Sequence, residues 1–128
     1  MTPHELADLY RAYIDCLNAR AFDDLGRFVG DDVHHNGRPL GLTGYRDMLM
    51  DDFERIPDLW FRVELLVCEP PHIASRLAFD CSPKGQFLDL AVNGRRIRFA
   101  ENVFYRVEAG RIVDVRSVLD KTAIEAQL

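Results

Sequence analysis

The chain has 128 residues, of which 48% are hydrophobic and 29% charged, and a formal net charge of −5 at pH 7. These values are ordinary for one globular domain over residues 1–128 that is long enough to bury a core. The acidic balance argues against a nucleic-acid partner, and no apolar run is long enough to span a membrane. Three widely spaced cysteines indicate a reduced, cytoplasmic protein, and the first residues do not resemble a signal peptide.

The chain begins with the sequence pattern of two helices. Thr2 is a helix N-cap that forms a capping box with Glu5. The apolar stripe of this first helix, which we expect in the core or in a pocket wall, contains Leu6, Leu9, Tyr10, Tyr13 and Leu17. A second, shorter helix is predicted over Ala21–Val29, and Gly30 is predicted to end it.

An extended segment that contains two adjacent histidines follows. His34 and His35 point to opposite faces of an extended chain, so they are not expected to bind one metal ion together. Because Val33 lies two positions before His35, we favour His35 as the residue that faces the interior. A histidine at the surface, or one hydrogen-bonded within the core, explains the same pattern.

The third predicted helix is capped by Thr43 and ends at Pro57. Its apolar face contains Tyr45, Met48, Leu49, Phe53 and Ile56. Its acidic residues, which we interpret as a solvated side, are Asp51, Asp52 and Glu54.

From Asp58 the hydrophobic period changes to two, which predicts strands. The first strand has an apolar face of Leu59, Phe61, Val63, Leu65 and Val67 and stops at Pro70-Pro71. The second strand spans Ile73–Cys81, with Ile73, Leu77 and Phe79 on one side. Trp60 lies on the opposite face, where it is a candidate for a dimer contact or a rim residue.

A further strand is predicted over Phe87–Val92, and Asn93-Gly94 is a strong hairpin signal. A two-residue turn at this point pairs Leu90 with Ile97, Leu88 with Phe99 and Asp89 with Arg98.

Two alternating arms, joined by the loop Glu108-Ala109-Gly110, make up the segment Gly94–Leu119. The apolar faces of the two arms are Ile97, Phe99, Val103 and Tyr105, then Val113, Val115 and Leu119. A three-residue loop sets a register in which Tyr105 faces Val113, Val103 faces Val115 and Glu101 lies directly opposite Ser117.

Glu101 and Ser117 are polar residues on these apolar faces and form the main functional clue in the sequence. A buried carboxylate needs a partner or a wet pocket. A structural carboxylate that only accepts a hydroxyl hydrogen bond is the simpler explanation of the same pair.

The last element is a short helix over Lys121–Leu128, for which Asp120 is interpreted as the cap rather than as a catalytic residue. Helices followed by hairpin-linked strands predict an α+β fold, with helices on one face of a curved antiparallel sheet and a pocket inside the cone. No metal-ligand spacing or phosphate-binding glycine loop is present, so no metal or cofactor is expected.

The layout resembles the cone-shaped nuclear transport factor 2-like fold over the full chain, and the C-terminal third resembles the SnoaL-like polyketide cyclases and the related predicted ester cyclase group. The segments that carry this resemblance are Glu101–Tyr105, Gly110–Val115 and Asp120–Leu128. The resemblance implies an α+β fold of three N-terminal helices on a curved antiparallel or mixed sheet, with an internal pocket, a short C-terminal helix and a homodimeric assembly.

The resemblance also implies an activity, because the characterised cyclases close a ring by an intramolecular aldol step with an aspartate on the last strand as general acid/base. That aspartate position is Ser117 here, and the pocket polar position on the preceding strand is Glu101. The family's pocket histidine falls on Val103 and its pocket asparagine falls near His35. Glu101 therefore takes over the acid/base role, or the chemistry differs, or the protein only binds a ligand.

The expected partner is a small hydrophobic molecule that contains a carbonyl group. The residues expected to carry out the chemistry are Glu101, His35 and Ser117, and those expected to contact the substrate are Tyr105, Val103, Val115, Phe99, Tyr13 and Phe53. Two other functions remain open: a non-catalytic binding protein for such a molecule, and an assembly module that uses the outer sheet face with Trp60.

Overall fold

A five-stranded mixed sheet forms one layer of the molecule, and helices cover one of its faces. The computed structural model describes all residues, 1–128. The elements are α1 (Pro3–Asn18), a 3₁₀ helix (Phe22–Arg27), β1 (Val29–His35), α2 (Gly41–Arg55), β2 (Arg62–Glu69), β3 (His72–Cys81), β4 (Gln86–Phe87), β5 (Leu90–Ala91), β6 (Ile97–Glu108), β7 (Arg111–Leu119) and α3 (Lys121–Glu125).

The order of strands in the main sheet is β1-β7-β6-β3-β2, and β4 and β5 form a separate two-stranded sheet. β1 runs parallel to β7, and the other neighbours are antiparallel. This arrangement confirms the predicted α+β fold with helices packed on a curved mixed sheet. No helix has both the length and the apolar character needed to cross a lipid bilayer.

The start of α1 is as predicted, but the second helix is shorter than predicted. The capping box between Thr2 and Glu5 is formed in both directions. The 3₁₀ helix ends at Arg27, and Gly30, which was expected to stop a helix, lies inside β1. A Cβ atom at Gly30 would come within 3.3 Å of the Val113 side chain, so the glycine permits the close approach of β1 to β7.

The predicted Thr43 cap of α2 is wrong. The helix already begins at Gly41, with Leu40 in the N-cap position and no side-chain cap. Gly41 has φ +68°, and this left-handed conformation turns the chain into the helix earlier than the sequence pattern suggested. The end of the helix before Pro57 is as predicted, because Arg55 is the last helical residue.

The predicted inward face of β2 is wrong in its second half. The pairing of β2 with β3 shifts by one residue between Val63 and Leu65. Such a bulge exchanges the two faces of the strand beyond it. Leu65 and Val67 are therefore 58% and 53% exposed, while Leu66 and Cys68 pack against the core.

The predicted turn at Asn93-Gly94 is confirmed, because both residues have positive φ and Arg95 N–H donates to the Val92 carbonyl oxygen over 3.1 Å. The predicted pairing of the flanking strands is wrong. The segment before the turn folds on itself instead as β4 and β5, through a turn at Leu88-Asp89. None of the predicted pairs Leu90–Ile97, Leu88–Phe99 and Asp89–Arg98 is formed.

β3 is the strand that pairs with β6 from Ile97 to Arg106, and it offers ten paired positions, whereas β5 has only two residues. Phe79 lies opposite Phe99, with the two rings stacked at 5.2 Å between centroids. On the other face Asp80, rather than Asp89, accepts hydrogen bonds from Arg96 and Arg98. The longer strand therefore provides both the apolar and the charged partners that the sequence assigned to Phe87–Val92.

β6 and β7 form a hairpin whose register differs by two residues from the prediction. The turn consists of two residues, Ala109 and Gly110, both with positive φ, rather than three. A bulge at Val113 adds the second residue of the shift and leaves Ile112 buried. Glu101 therefore lies opposite Leu119, and Ser117 lies opposite Val103. An even shift keeps every side chain beyond the bulge on its predicted face.

The core lies between the helices and the inner face of the sheet, and 27 buried apolar residues form one connected cluster there. Asp120 accepts a hydrogen bond from the Ala123 N–H, which confirms its role as the cap of α3. α3 ends at Glu125, earlier than the predicted Leu128. The cysteines are unpaired, as expected: Cys16 and Cys81 are buried and Cys68 is partly buried.

Candidate functional site

A cavity of about 530 Å³ lies between the inner face of the sheet and the helices α1 and α2, and 13 of its 19 lining residues are hydrophobic. Seven of the predicted site residues line it: Glu101, His35, Ser117, Tyr105, Val103, Val115 and Tyr13. Phe99 instead lines a smaller neighbouring cavity. Phe53 lines neither cavity, because its ring packs against Phe22 and Phe61 and beneath the Arg20 guanidinium.

Glu101 is a half-buried carboxylate on the inner face of β6. The Ser117 hydroxyl of β7 donates a hydrogen bond to Glu101 Oε2, so the two side chains meet although they lie diagonally and not directly opposite. Burial raises the pKa of Glu101 above its ordinary value, and the hydrogen bond from Ser117 opposes that shift. The group is therefore desolvated, and its ionised form is supported by one hydroxyl donor.

Asn36 fixes the backbone of Ser117, and sequence reasoning missed this role. The Ser117 N–H donates to Asn36 Oδ1 over 2.8 Å, and Asn36 Nδ2 donates to the Ser117 carbonyl oxygen over 3.3 Å. The Asn36 N–H also donates to the Val115 carbonyl oxygen over 2.8 Å. Asn36 has φ +49°, a conformation that asparagine tolerates, so an asparagine near the end of the predicted extended segment was the available signal.

His35 lies at the end of β1 opposite Val115 and lines the cavity, while His34 is exposed. Its Nδ1 atom is buried and has no hydrogen-bond partner. Burial lowers the pKa of His35, and the positive charge of Arg38 lowers it further. The imidazole is therefore neutral near pH 7, and one of its ring nitrogens has no partner within the protein.

Four buried tyrosines form two hydrogen-bonded groups beside the cavity. The Tyr13 and Tyr45 hydroxyls are 2.7 Å apart. The Tyr10 hydroxyl donates to Ser75 Oγ over 2.9 Å and lies 3.2 Å from the Tyr105 hydroxyl. Burial raises the pKa of all four groups, that of Tyr10 to about 12, so they are neutral donors near pH 7.

The two groups differ in whether a hydroxyl proton is left for a ligand. Tyr10 donates its only hydroxyl proton to Ser75, so the proton of Tyr105 points to Tyr10. Whichever of Tyr13 and Tyr45 donates to the other, the second one keeps a free proton. The Tyr13–Tyr45 pair is therefore the better donor to a ligand, although the sequence had drawn attention to Tyr105.

Asp52 of α2 also lines the cavity, which corrects its interpretation as part of a solvated helix face. Burial, followed by the negative charge of Glu101, raises the pKa of Asp52 to about 7. The signal was present in the sequence: Asp52 follows Tyr45 by seven residues, Met48 by four and Leu49 by three, so it lies on the apolar stripe of α2. No group of three or more His, Cys, Asp or Glu side chains is arranged to hold a metal ion.

Comparisons with known proteins agree with this architecture. The model of the SnoaL-like polyketide cyclase family matches residues 7–128. A SnoaL-like polyketide cyclase from Agrobacterium tumefaciens, known from its crystal structure, is 58% identical and has a TM-score of 0.95, with 99% of this chain and 98% of that chain covered. No curated protein matches the sequence.

More distant structures share the fold alone. TsrD from Streptomyces laurentii is 18% identical with a TM-score of 0.85 and covers 99% of this chain and 96% of its own. IdmH from Streptomyces antibioticus is 19% identical with a TM-score of 0.80, over 94% of this chain and 96% of its own.

Proposed function

The chain belongs to the SnoaL-like polyketide cyclase family, and we propose that its cavity performs general acid–base catalysis on a small, largely apolar carbonyl compound. The observation that carries this proposal is Glu101, a desolvated carboxylate on the wall of an otherwise mainly hydrophobic cavity. A carboxyl group with a raised pKa is suited to proton transfer near neutral pH.

The polar groups of the cavity support a carbonyl-containing ligand. The Tyr13–Tyr45 pair keeps one hydroxyl proton that it can donate to a ligand, and His35 is a second polar residue in the lining of the same cavity. A carbonyl oxygen accepts such hydrogen bonds, and the negative charge that develops on it in an enolate strengthens them. The hydrophobic lining then holds the carbon skeleton of the ligand.

In the proposed reaction, the Glu101 carboxylate removes a proton from the carbon next to the carbonyl group. The Ser117 hydroxyl stabilises the ionised carboxylate before the transfer. The enolate oxygen is held by the tyrosine pair and His35, and the carbanion character at carbon is used for ring closure, isomerisation or a related step. Each of these steps uses side chains of the chain itself and no cofactor.

A non-catalytic binding protein is the second candidate function. The resemblance places the family's acid/base aspartate at the position of Ser117, and a serine hydroxyl does not ionise near neutral pH and so does not replace a carboxylate as the base. A ligand that is recovered from the cavity chemically unchanged after long incubation would favour binding alone, whereas a converted product would exclude it.

Exchange of carbon-bound protons into D₂O tests the proposed chemistry. The assay offers a panel of ketones, esters and lactones and follows the loss of the proton next to the carbonyl by NMR. We expect Glu101→Gln to lower the exchange rate by at least about 10³-fold, because the substitution removes the base but keeps the shape of the side chain. Glu108→Gln is the matched control, since Glu108 is an exposed glutamate on the same strand. Equal rates for wild type and Glu101→Gln would contradict the proposal.

A titration of Glu101 tests the same proposal without a substrate. The carboxyl carbon of Glu101 is followed by NMR between pH 3 and 9, and its signal is assigned by its absence in Glu101→Gln. A pKa above the ordinary glutamate value supports a poised acid/base. A normal or lowered pKa would identify a paired structural carboxylate instead.

A further inference from the structure

A second, smaller cavity adjoins the main one, and the two share four residues: Asp52, Phe61, Glu101 and Leu119. The smaller cavity has a volume of about 80 Å³, and seven of its nine lining residues are hydrophobic. Asp52 and Glu101 are the only charged residues in its lining. Asp52 of α2 and Glu101 of β6 therefore both lie where the two cavities meet.

We propose that Asp52 is a second catalytic residue, which donates a proton to the intermediate that Glu101 generates at this junction. The inference rests on the proposed function. It adds a proton donor that acts together with Glu101, and it locates the reacting carbon. The reacting carbon lies between the two carboxyl groups, where the main and the smaller cavity meet.

The hydrogen bonds of the two acids differ and assign their roles. Glu101 receives the Ser117 hydroxyl hydrogen bond, which favours its ionised form. Asp52 receives no side-chain hydrogen bond, and the charge of Glu101 disfavours a second negative charge beside it. The pair is therefore most stable with one proton, held by Asp52.

With Glu101 ionised and Asp52 protonated at the start, the two proton transfers balance. The Glu101 carboxylate takes the proton from carbon and becomes neutral. Asp52 gives its proton to the resulting enolate, at oxygen to form an enol or at carbon to form an isomer, and becomes ionised. The pair starts and ends with one proton and one negative charge, so no net charge develops in the cavity during the transfer.

The other charged and titratable groups around Asp52 come from three elements. On α2, Asp51 raises the pKa of Asp52 and Arg55 lowers it, and Arg55 forms an ion pair with Asp51 over 3.0 Å. His35 of β1 and Lys121 of α3 line the same main cavity. Glu101 is the largest electrostatic influence on Asp52 after burial, so the two acids are expected to titrate as a coupled pair.

The smaller cavity restricts the substrate. A cavity of about 150 Å³ is what benzene fills in proteins, so a cavity near half that size accepts a short alkyl group. Its lining includes four phenylalanines: Phe61, Phe79, Phe87 and Phe99. The expected substrate is a carbonyl compound that carries a small alkyl substituent beside the reacting carbon and a larger body in the main cavity.

The test compares four proteins in the D₂O exchange assay, on whichever panel compound the wild type exchanges: wild type, Asp52→Asn, Glu101→Gln and Glu54→Gln. Glu54 is exposed on the same helix and lines neither cavity, so it is the matched control. We expect Asp52→Asn to lose at least about 100-fold of the rate and to lose the fall in rate at high pH, because that fall reports ionisation of the acid. Glu54→Gln should retain both the rate and the pH profile.

The outcomes separate this inference from the proposed function. No exchange by wild type, or full activity of Glu101→Gln, overturns both. An inactive Glu101→Gln together with Asp52→Asn of wild-type rate and pH profile overturns the role of Asp52 alone. NMR titration gives a readout that does not depend on a substrate: the pKa of Asp52 should fall in Glu101→Gln and stay unchanged in Glu54→Gln. An unchanged Asp52 titration in Glu101→Gln would show that the two acids do not act as a pair.

Discussion

The two faces of β6 differ more than their alternating sequence suggests. On the inner face, Val103 and Tyr105 are 2% and 4% exposed. On the outer face, Phe104 is 60% exposed although it is as apolar as its neighbours. The same strand thus buries one apolar row against the helices and leaves another open.

The polar residues of the two faces are arranged differently as well. The inner face holds few polar groups and pairs most of them, as in the Glu101–Ser117 and Tyr10–Ser75 hydrogen bonds, while His35 Nδ1 has no partner. The outer face mixes apolar and charged residues in rows across β2, β3, β6 and β7, such as Leu65, Arg76, Asn102 and Val118. Buried polar groups need partners, whereas exposed ones have water. The inner face is therefore organised around its few polar groups, and the outer face is not.

The largest expected effect is on stability, where matched leucine substitutions on the inner and outer faces of the sheet should differ. Leu77 on β3 is 1% exposed and faces inward, and Leu65 on β2 is 58% exposed. Leu77→Ala should lower the free energy of unfolding by about 2–5 kcal/mol, because it removes buried methyl groups and leaves a void. Leu65→Ala should change it by less than about 0.5 kcal/mol. Denaturant unfolding at low protein concentration measures both, and equal losses would mean that the outer face is as well packed as the inner one.

The inner face of β6 was predictable from the sequence, but that of β2 was not. Alternation survives along β6 because its register relative to β7 shifts by an even number of residues. In β2 a single bulged residue near Glu64 exchanges inside and outside. No residue in the sequence marks that bulge, since Val63, Leu65 and Leu66 are all apolar. Strand faces can be predicted from period two only where no odd shift intervenes.

The second prediction concerns what covers the outer face. The family resemblance implies a homodimer, and the exposed apolar residues Leu65, Val67 and Phe104 share this face. Trp60, the residue first considered for such a contact, is 61% exposed but lies beside α1, near Arg11 and Asn18. We therefore expect a homodimer that uses the face around Phe104.

Phe104→Asp should weaken that dimer by at least about 100-fold in Kd, because it places a charge within an apolar interface. Met50→Asp is the control, since Met50 is an exposed apolar residue on α2. Sedimentation equilibrium of the three proteins measures the effect. A wild-type monomer at high concentration, or a Phe104→Asp dimer of unchanged affinity, would contradict the expected interface.

The site was only partly predictable for a related reason. Glu101 and Ser117 stand out because they interrupt apolar faces, and an even register shift keeps them together. Asp52 interrupts an apolar stripe in the same way, but charged neighbours on both sides, Asp51 and Glu54, made the whole segment look solvated. Asn36 does not interrupt an apolar face in the sequence. Its role depends on the parallel pairing of β1 with β7, which joins segments far apart in the chain.

The smallest expected effect comes from removing the hydrogen bond that Ser117 donates to Glu101. This bond is what distinguishes Glu101 from an unpaired buried acid. Ser117→Ala removes the hydroxyl donor, so the pKa of Glu101 should rise further above its ordinary value. The base must be ionised to act, so the acidic limb of the rate–pH profile should move to higher pH. At a pH below the shifted pKa the rate should fall by about tenfold for each unit of that shift, and it should recover at higher pH.

The pH dependence of the free energy of unfolding gives an independent check, because the raised pKa of Glu101 fixes the direction in which stability changes with pH. Burial raises the folded-state pKa of Glu101, so its contribution to stability is fully present below the unfolded-state pKa and is lost as pH rises through the folded-state pKa. Ser117→Ala should extend that loss to higher pH, and Ser117→Thr, which keeps a hydroxyl, should restore the wild-type curve. Thermal unfolding across pH 4–9 measures this. If both variants follow the wild-type curve, the hydroxyl does not control the ionisation of Glu101, and the inner face holds its carboxylate by burial alone.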